Sequence, residues 1–425
     1  MPEYIKDILF FAVAWYFRIW TRIKLWRWHP QVIIVTGSSG KTTVIQLLKA
    51  QLGSKAAFAD HANSAFGVPF DILGLHRVSY HWSEWISLVF CAPFAAFSPV
   101  SPHMRYIVEA DADRPGEGQF LASLLRPSYV LWVSSARTHS LRFDPLVRSG
   151  KFRSVEEAIA YEFGFFLEYC SEKAWIVAEN ELMRLQIPRC PARVIQISNK
   201  ELISYKVSTR GTTFSFAHAV YTLPYALPEL VHYGLQMVEA LLGELTSPLD
   251  SSWDRLSIPP GRNSLFSGIK DTTLIDSSYN ANLSSMTVII KMVDQIRHKN
   301  TWAVIGDMLE QGVTGPDQHR ELGELLAATT FSRVIFFGEN AKLYTKPAFD
   351  KDKKKKVESL WFETVKEVQD YLHKELQGKE LILFKGGRYQ EAVVESLLAS
   401  AADKAHLCRR EAIWVRKRKA LGLVG

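Results

Sequence analysis

A chain of 425 residues exceeds one ordinary domain and calls for two or three. Its composition, 47% hydrophobic and 22% charged, excludes an intrinsically disordered protein and provides for real cores. The net charge of +7 raises nucleic-acid binding, but the basic excess sits in two runs, residues 351–356 and 409–419, which read as solvated surface, so no nucleic-acid partner is expected.

Residues 4–27 form the first element. An apolar run over residues 8–17 is too short to span a bilayer, and beyond it Arg18, Arg22, Lys24 and Arg27 alternate with Ile19, Trp20, Ile23 and Trp26. The spacing predicts a greasy helix with a narrow polar stripe. It is expected either to pack against the protein or to make peripheral contact with a membrane, its tryptophans in the headgroup layer and its basic residues, helped by the C-terminal run, on anionic lipid.

From Gln31 the texture changes to short β-branched runs alternating with helical patterns. Strands are expected at 31–36, 106–108 and 129–133 and a helix at 42–52, the rhythm of a parallel sheet with crossover helices. Residues 85–100 are apolar but carry Pro93 and Pro99, which suits neither a spanning helix nor a clean strand; a core-packing insertion or a second membrane-touching element is expected there. A helical stretch near 230–243 and the segment Ser257-Ile258-Pro259-Pro260-Gly261 mark a boundary. Alternation then restarts, with strands at 273–275, 302–305, 334–337 and 381–384. The expected organisation is an N-terminal helix over 1–30, a central α/β domain over 31–250, and a smaller Rossmann-like α/β domain with a basic tail over 251–425. The four cysteines, Cys91, Cys170, Cys190 and Cys408, show no CxxC spacing, which argues against a zinc site or disulfide framework and suits a reducing cytoplasm.

The strongest chemical signal is Thr36-Gly37-Ser38-Ser39-Gly40-Lys41-Thr42-Thr43 between a strand and a helix. Glycines let such a loop turn backbone N–H groups toward phosphate oxygens; Lys41 would reach the terminal phosphates of ATP, and the Thr42 hydroxyl would hold Mg²⁺. Glu109, at the end of an apolar strand, is placed to meet a metal beside that loop.

The form TGSSGKTT is that of the Mur ligases, and further motifs follow in order. Asn63-Ser64-Ala65-Phe66-Gly67-Val68-Pro69, Glu109-Ala110-Asp111 through Pro115-Gly116-Glu117, Pro260-Gly261-Arg262, Asp276-Ser277-Ser278-Tyr279-Asn280-Ala281-Asn282, Gly306-Asp307-Met308 with His319, and Lys385-Gly386-Gly387-Arg388 resemble that family, most closely its D-alanyl-D-alanine-adding branch, over about residues 31 to 400. The resemblance implies a P-loop ATPase domain with a parallel central sheet followed by a smaller α/β domain. It implies an ATP- and Mg²⁺-dependent carboxylate–amine ligase of peptidoglycan precursor synthesis, working through an acyl phosphate on a cell-wall precursor and an amino acid or dipeptide. It places Lys41, Glu109 and His139 at the chemistry, and Thr42, Glu109 and His139 on the metal. ATP would meet Gly37, Ser38, Ser39, Gly40, Lys41, Thr42, Thr43, Arg262, Asp276 and Asn280, and the substrates Asn63, Lys385 and Arg388.

Several positions depart from the family pattern. The branch carries an N-terminal UDP-gripping domain, expected to be lacking here, where residues 1–30 precede the loop. Phe163 falls where a carbamoylated lysine is usual, with Glu162 beside it. Asp111 replaces a glycine, and Ser277 the second aspartate of its motif. These departures leave two alternatives open, a weakened ATP-binding paralogue serving as a partner subunit, and a ligase for another polymer such as polyglutamate. The expected location is cytoplasmic, at the inner face of the membrane if residues 4–27 touch it.

Overall fold

β-Branched and apolar runs that alternate with amphipathic helices cannot bury both faces of a strand unless helices cover the sheet on either side. The computed structural model, which describes residues 3–59, 62–77, 83–138, 140–351 and 357–423, with 3–9 as helix backbone alone, meets this demand twice. The chain divides into two compact units, one of Met1–Ala136, Arg142–Asn199 and Tyr233–Asp250, the other of Arg137–Leu141, Lys200–His232 and Ser251–Gly425.

The elements up to residue 197 are α1 (Glu3–Trp28), β1 (Gln31–Thr36), α2 (Lys41–Leu52), β2 (Ala57–Phe58), α3 (Gly67–Leu73), α4 (Glu84–Phe97), β3 (Arg105–Ala110), α5 (Glu117–Leu125), β4 (Tyr129–Trp132), α6 (Ser140–Arg148), α7 (Val155–Glu168), β5 (Lys173–Val177), α8 (Glu181–Arg184) and β6 (Arg193–Ile197). Their strands form one parallel sheet in the order β2-β3-β1-β4-β5-β6. From β1 the chain winds first to one side and then to the other, so the crevice such a reversal leaves at the carboxyl ends of the strands lies beside β1, where the glycine-rich loop emerges.

The second unit opens with an antiparallel sheet of β7 (Leu202–Ser208), β8 (Gly211–Phe216) and β9 (Val220–Leu223), which the sequence reading did not anticipate. After α9 (Val231–Glu244), which belongs to the first unit, come β10 (Ser264–Ser267), β11 (Thr273–Asp276), α10 (Leu283–Gln295), β12 (Thr301–Gly306), α11 (Gly315–Ala327), β13 (Arg333–Phe337), α12 (Lys346–Asp350), β14 (Glu358–Phe362), α13 (Val365–Glu375), β15 (Leu381–Lys385), α14 (Gln390–Leu397) and α15 (Ala412–Ala420). Their sheet runs β10-β11-β15-β12-β13-β14, parallel except for β10. One core, with Ile275, Ile305 and Leu383, covers one face, and a second, with Leu274, Val304 and Phe384, covers the other. Alternate residues of the same strands point to opposite sides, as the pleat requires.

The structure refines three expectations. The first concerns α1, which packs on the protein, one of the two arrangements expected of it, through Ala14, Phe17, Arg18, Thr21 and Lys24. Arg18 donates to the carbonyl of Phe120 at 2.5 Å, Lys24 to that of Leu73 at 3.3 Å, and Arg27 to those of Ala96 and Ser98 at 2.8 and 3.0 Å. Three of the four cations expected at lipid therefore donate to protein carbonyls, and two of them are buried. Residues 84–97 then form a helix despite Pro93. Proline cannot donate to the carbonyl four residues back, that of Val89, and the Tyr16 hydroxyl does so instead at 2.7 Å. The third change concerns the C-terminal basic run, which is no solvated tail as a whole. Arg409 and Arg418 pair with Glu391 at 3.0 and 3.1 Å and Arg410 with Glu395 at 2.6 Å, because α14 buries both carboxylates and each must be paired. Most of the other basic run, residues 352–356, lies outside the described residues.

Candidate functional site: a phosphate loop and a second polar cluster

The loop leaving β1 must reverse the backbone within four residues, and two glycines permit it. Gly37 has φ 131° and Gly40 φ 84°, in the left-handed region that side chains avoid. At Gly37 a Cβ would also sit 2.6 Å from the carbonyl oxygen of Ser134, so the close approach to the segment after β4 requires glycine. That segment holds the loop from below. The Ser134 hydroxyl accepts from the Ser39 N–H at 2.8 Å and donates to the Ser39 carbonyl at 2.7 Å, and the Ser38 hydroxyl donates to the Ala136 carbonyl at 2.6 Å. Gly40, the residue preceding α2, has no side chain to satisfy the first N–H groups of that helix, those of Lys41, Thr42 and Thr43. Such a helix start favours an anionic oxygen.

Lys41 is buried and bonded at both ends of its reach: Nζ donates to the Gly37 carbonyl at 2.5 Å and lies 2.8 Å from Asp111 Oδ2. Burial works to lower its pKa, but the carboxylates of Asp111 and Glu109 outweigh it and hold the ammonium above its ordinary value. Glu109 comes into place because β3 runs beside β1 with Val35 opposite it, and its Oε2 accepts from the Thr42 hydroxyl at 2.9 Å. Around this centre, the Asp111 N–H donates to the Asn63 carbonyl at 2.8 Å, and the Glu117 carboxylate accepts from the N–H groups of Ala65 and Asp113 at 2.8 and 3.2 Å. Burial pushes the Glu117 carboxyl up to about 7.

Among the described residues no group of three or more His, Cys, Asp or Glu side chains is arranged to hold a metal. A magnesium ion needs less, since it keeps several waters and takes one or two carboxylates together with phosphate oxygens. The Thr42 hydroxyl and the Glu109 carboxylate, both hard oxygen donors beside a phosphate-ready helix start, fit that requirement. His139, the third expected ligand, lies outside the described residues.

The second unit gathers its own polar cluster at the carboxyl ends of β11 and β15. Asp276 is fully buried; its Oδ1 accepts from the Ser278 N–H at 3.0 Å, and its Oδ2 has no partner among the described residues. Burial raises its pKa. Lys385, also buried, donates to the Asn280 carbonyl at 3.0 Å and to the Ser277 carbonyl and hydroxyl at 3.4 Å, and so braces the 276–280 turn. Burial and the nearby Arg262 push its ammonium down to about 7 against the pull of Asp276. Arg262 stacks on the Tyr279 ring at 4.6 Å, and Arg388 is exposed just before α14. A buried carboxylate oxygen without a partner suits a ligand that can donate a hydrogen bond to it.

Residues 261–388 match the model of the Mur ligase, glutamate ligase domain. The chain therefore carries a Mur ligase C-terminal domain over those residues. It is 23% identical over 321 residues to the UDP-N-acetylmuramoyl-tripeptide–D-alanyl-D-alanine ligase of Escherichia coli; the match covers 73% of the chain and 65% of that enzyme, just under two thirds of its length. With the enzyme of the same name from Buchnera aphidicola it shares 23% over 91% of the chain and 80% of the relative. In fold it is similar to MurF of Acinetobacter baumannii, with a TM-score of 0.70, 17% identity and coverage of 92% of this chain and 80% of that one. It is also similar to MurF of Thermotoga maritima in complex with ADP, with a TM-score of 0.69, 20% identity and coverage of 90% and 83%.

Two features escape a motif reading. Asp111 is the ion-pair partner of Lys41, and Ser134 anchors the phosphate loop. The one sequence signal for the second is a pair of small hydroxyl residues, Ser134 and Ser135, directly after an apolar strand. Phe163 is fully buried with its ring 6.0 Å from that of Trp132. Glu162 accepts from the N–H groups of Gly116 and Gly118 at 2.9 and 3.2 Å, which caps the start of α5. His319 is buried and satisfied on both sides, accepting from the Met308 N–H at 3.1 Å and lying 2.8 Å from the Gly315 carbonyl; burial lowers its pKa and keeps it neutral.

Proposed function

We propose that this chain is a Mur ligase that joins a carboxylate to an amine with hydrolysis of ATP, through an acyl phosphate, in peptidoglycan precursor synthesis. By likeness to the relatives named above, the acyl donor is UDP-N-acetylmuramoyl-tripeptide and the acceptor D-alanyl-D-alanine. The observation that carries the reading is the loop itself: an uncapped helix start, a buried Lys41, and the Thr42 hydroxyl bonded to Glu109.

Each residue then has a task. A carboxylate does not react with an amine at neutral pH until it is activated, and phosphoryl transfer from ATP does this if charge on the moving group is neutralised. Gly37 to Thr43 would cradle the phosphates and Lys41 would carry positive charge to them. Thr42, Glu109 and His139 would hold Mg²⁺, which supplies the remaining neutralisation. Arg262, Asp276 and Asn280 would bind ATP, and Asn63, Lys385 and Arg388 would bind substrate. The named relatives favour this reading over a weakened paralogue or a polyglutamate ligase. We assign the work to the cytoplasm, with residues 4–27 in peripheral contact with the inner face of the membrane.

Phosphate release with UDP-N-acetylmuramoyl-tripeptide and D-alanyl-D-alanine, each alone and together, is the test. Release that needs both supports the proposal. ATP binding without acceptor-dependent release would leave the paralogue reading, and release with glutamate in place of the dipeptide would move the protein to another polymer.

A further inference from the structure

We infer that the first unit docks on a bilayer surface carrying anionic lipid mainly through the outward face of α4, with the outer stripe of α1 beside it. The inference is independent of the ligase chemistry, and it rests on the proposed membrane contact of residues 4–27, which it extends to a second helix.

A helix on a soluble protein buries one apolar stripe and turns polar residues outward. α4 does not. Leu88, Ala92 and Ala96 are buried in the cluster that also takes in Phe17 of α1 and Phe70 of α3. On the opposite side Ile86, Phe90, Phe94 and Phe97 recur at helical spacing and are 51%, 71%, 79% and 62% exposed. Single exposed apolar residues are ordinary, but four large ones aligned on one short helix form a patch of the kind that marks an interaction surface. The neighbouring α1 behaves likewise. Trp15, Ile19 and Trp26 lie on one exposed stripe with Arg22 between them, and Trp26 is 72% exposed. The Arg27 guanidinium lies 5.9 Å from the Phe97 ring and links the ends of the two helices.

Charge selects the partner. Residues 8–28 and 85–108 contain no aspartate or glutamate, while Arg22 and Arg27 reach the surface among the aromatic rings. Aromatic side chains with arginines at their margin, and no acid to be repelled, match the headgroup layer of an anionic bilayer. Among the described residues no helix is long and apolar enough to cross a membrane, so the geometry is that of helices lying on the surface.

Flotation of the full chain with phosphatidylcholine vesicles, with and without about 30% phosphatidylglycerol, tests this alongside the variants F90S/F94S and W15S/I19S. The expected result is binding to the anionic vesicles, reduced at least about tenfold in F90S/F94S. As a measurement independent of that variant's folding, a Cys190→Ser chain labelled at the exposed Cys91, on the turn between Phe90 and Phe94, should show a blue-shifted environment-sensitive dye on anionic vesicles. An unshifted dye overturns the inference. Loss of binding in W15S/I19S with none in F90S/F94S overturns it while leaving contact by residues 4–27 intact, and no flotation of the parent chain overturns both. Failure to float together with a lipid-free dimer that F90S/F94S dissolves would assign the face to a second copy of the chain.

Discussion

Lys385 offers a test in which sign and size both follow from geometry. Its ammonium is buried among the carbonyls of Ser277 and Asn280, and burial and Arg262 bring its pKa down from 10.5 to about 7. Between those two values the unfolded chain holds a proton that the native chain lacks, so stability rises with pH through that window. The lysine's full contribution is present above 10.5 and is lost as pH falls toward 7. At 1.36 kcal/mol per pH unit the whole effect is about 5 kcal/mol, of which about 3 kcal/mol falls between pH 6 and 9. Lys385→Met keeps most of the volume and removes the titration. The hydrogen bonds it deletes cost about 1–3 kcal/mol, nearly the same at each pH, so they drop out when the pH dependence of the two proteins is compared. Urea denaturation of parent and variant from pH 6 to 9 should therefore give curves that diverge by about 3 kcal/mol, with the parent gaining as pH rises. Parallel curves would refute the buried-ammonium account.

Lys41→Ala should abolish ATP turnover, measured as phosphate release, since no other cation lies within the loop from Gly37 to Thr43; retained turnover would remove the loop from the mechanism. Asp111→Asn should tighten nucleotide binding by at least about tenfold in a fluorescent-nucleotide titration, because Lys41 need no longer leave a buried carboxylate to meet phosphate. Unchanged or weaker binding would show that the ion pair does not compete. Glu391→Ala strands Arg418, which is fully buried, and should cost about 3–5 kcal/mol in urea denaturation; a loss under about 1 kcal/mol would mean that water reaches the guanidinium.

What the sequence determined by itself was the local chemistry and the rhythm of the fold. Strands at Gln31–Thr36, Arg333–Phe337 and Leu381–Lys385 were legible because a strand buried on both faces needs an unbroken apolar run, which no neighbour has to supply. The phosphate loop was legible because its glycines, lysine and threonine act within one turn of backbone, so adjacency in the chain is adjacency in space. The antiparallel sheet β7–β9 was missed, since its strands are only half buried and its pairing depends on what lies across from it. Only the tertiary structure decided the partners. Asp111 meets Lys41 and Ser134 meets Ser39 because β3 and β4 flank β1, a strand order that no local period encodes. Pro93 keeps its helix because Tyr16, far away in sequence, reaches the carbonyl that proline leaves free, and Arg18 and Lys24 are buried because their heads find carbonyls on other helices. A buried polar group is tolerated only where a partner meets it, and the partner is chosen by how the chain returns on itself.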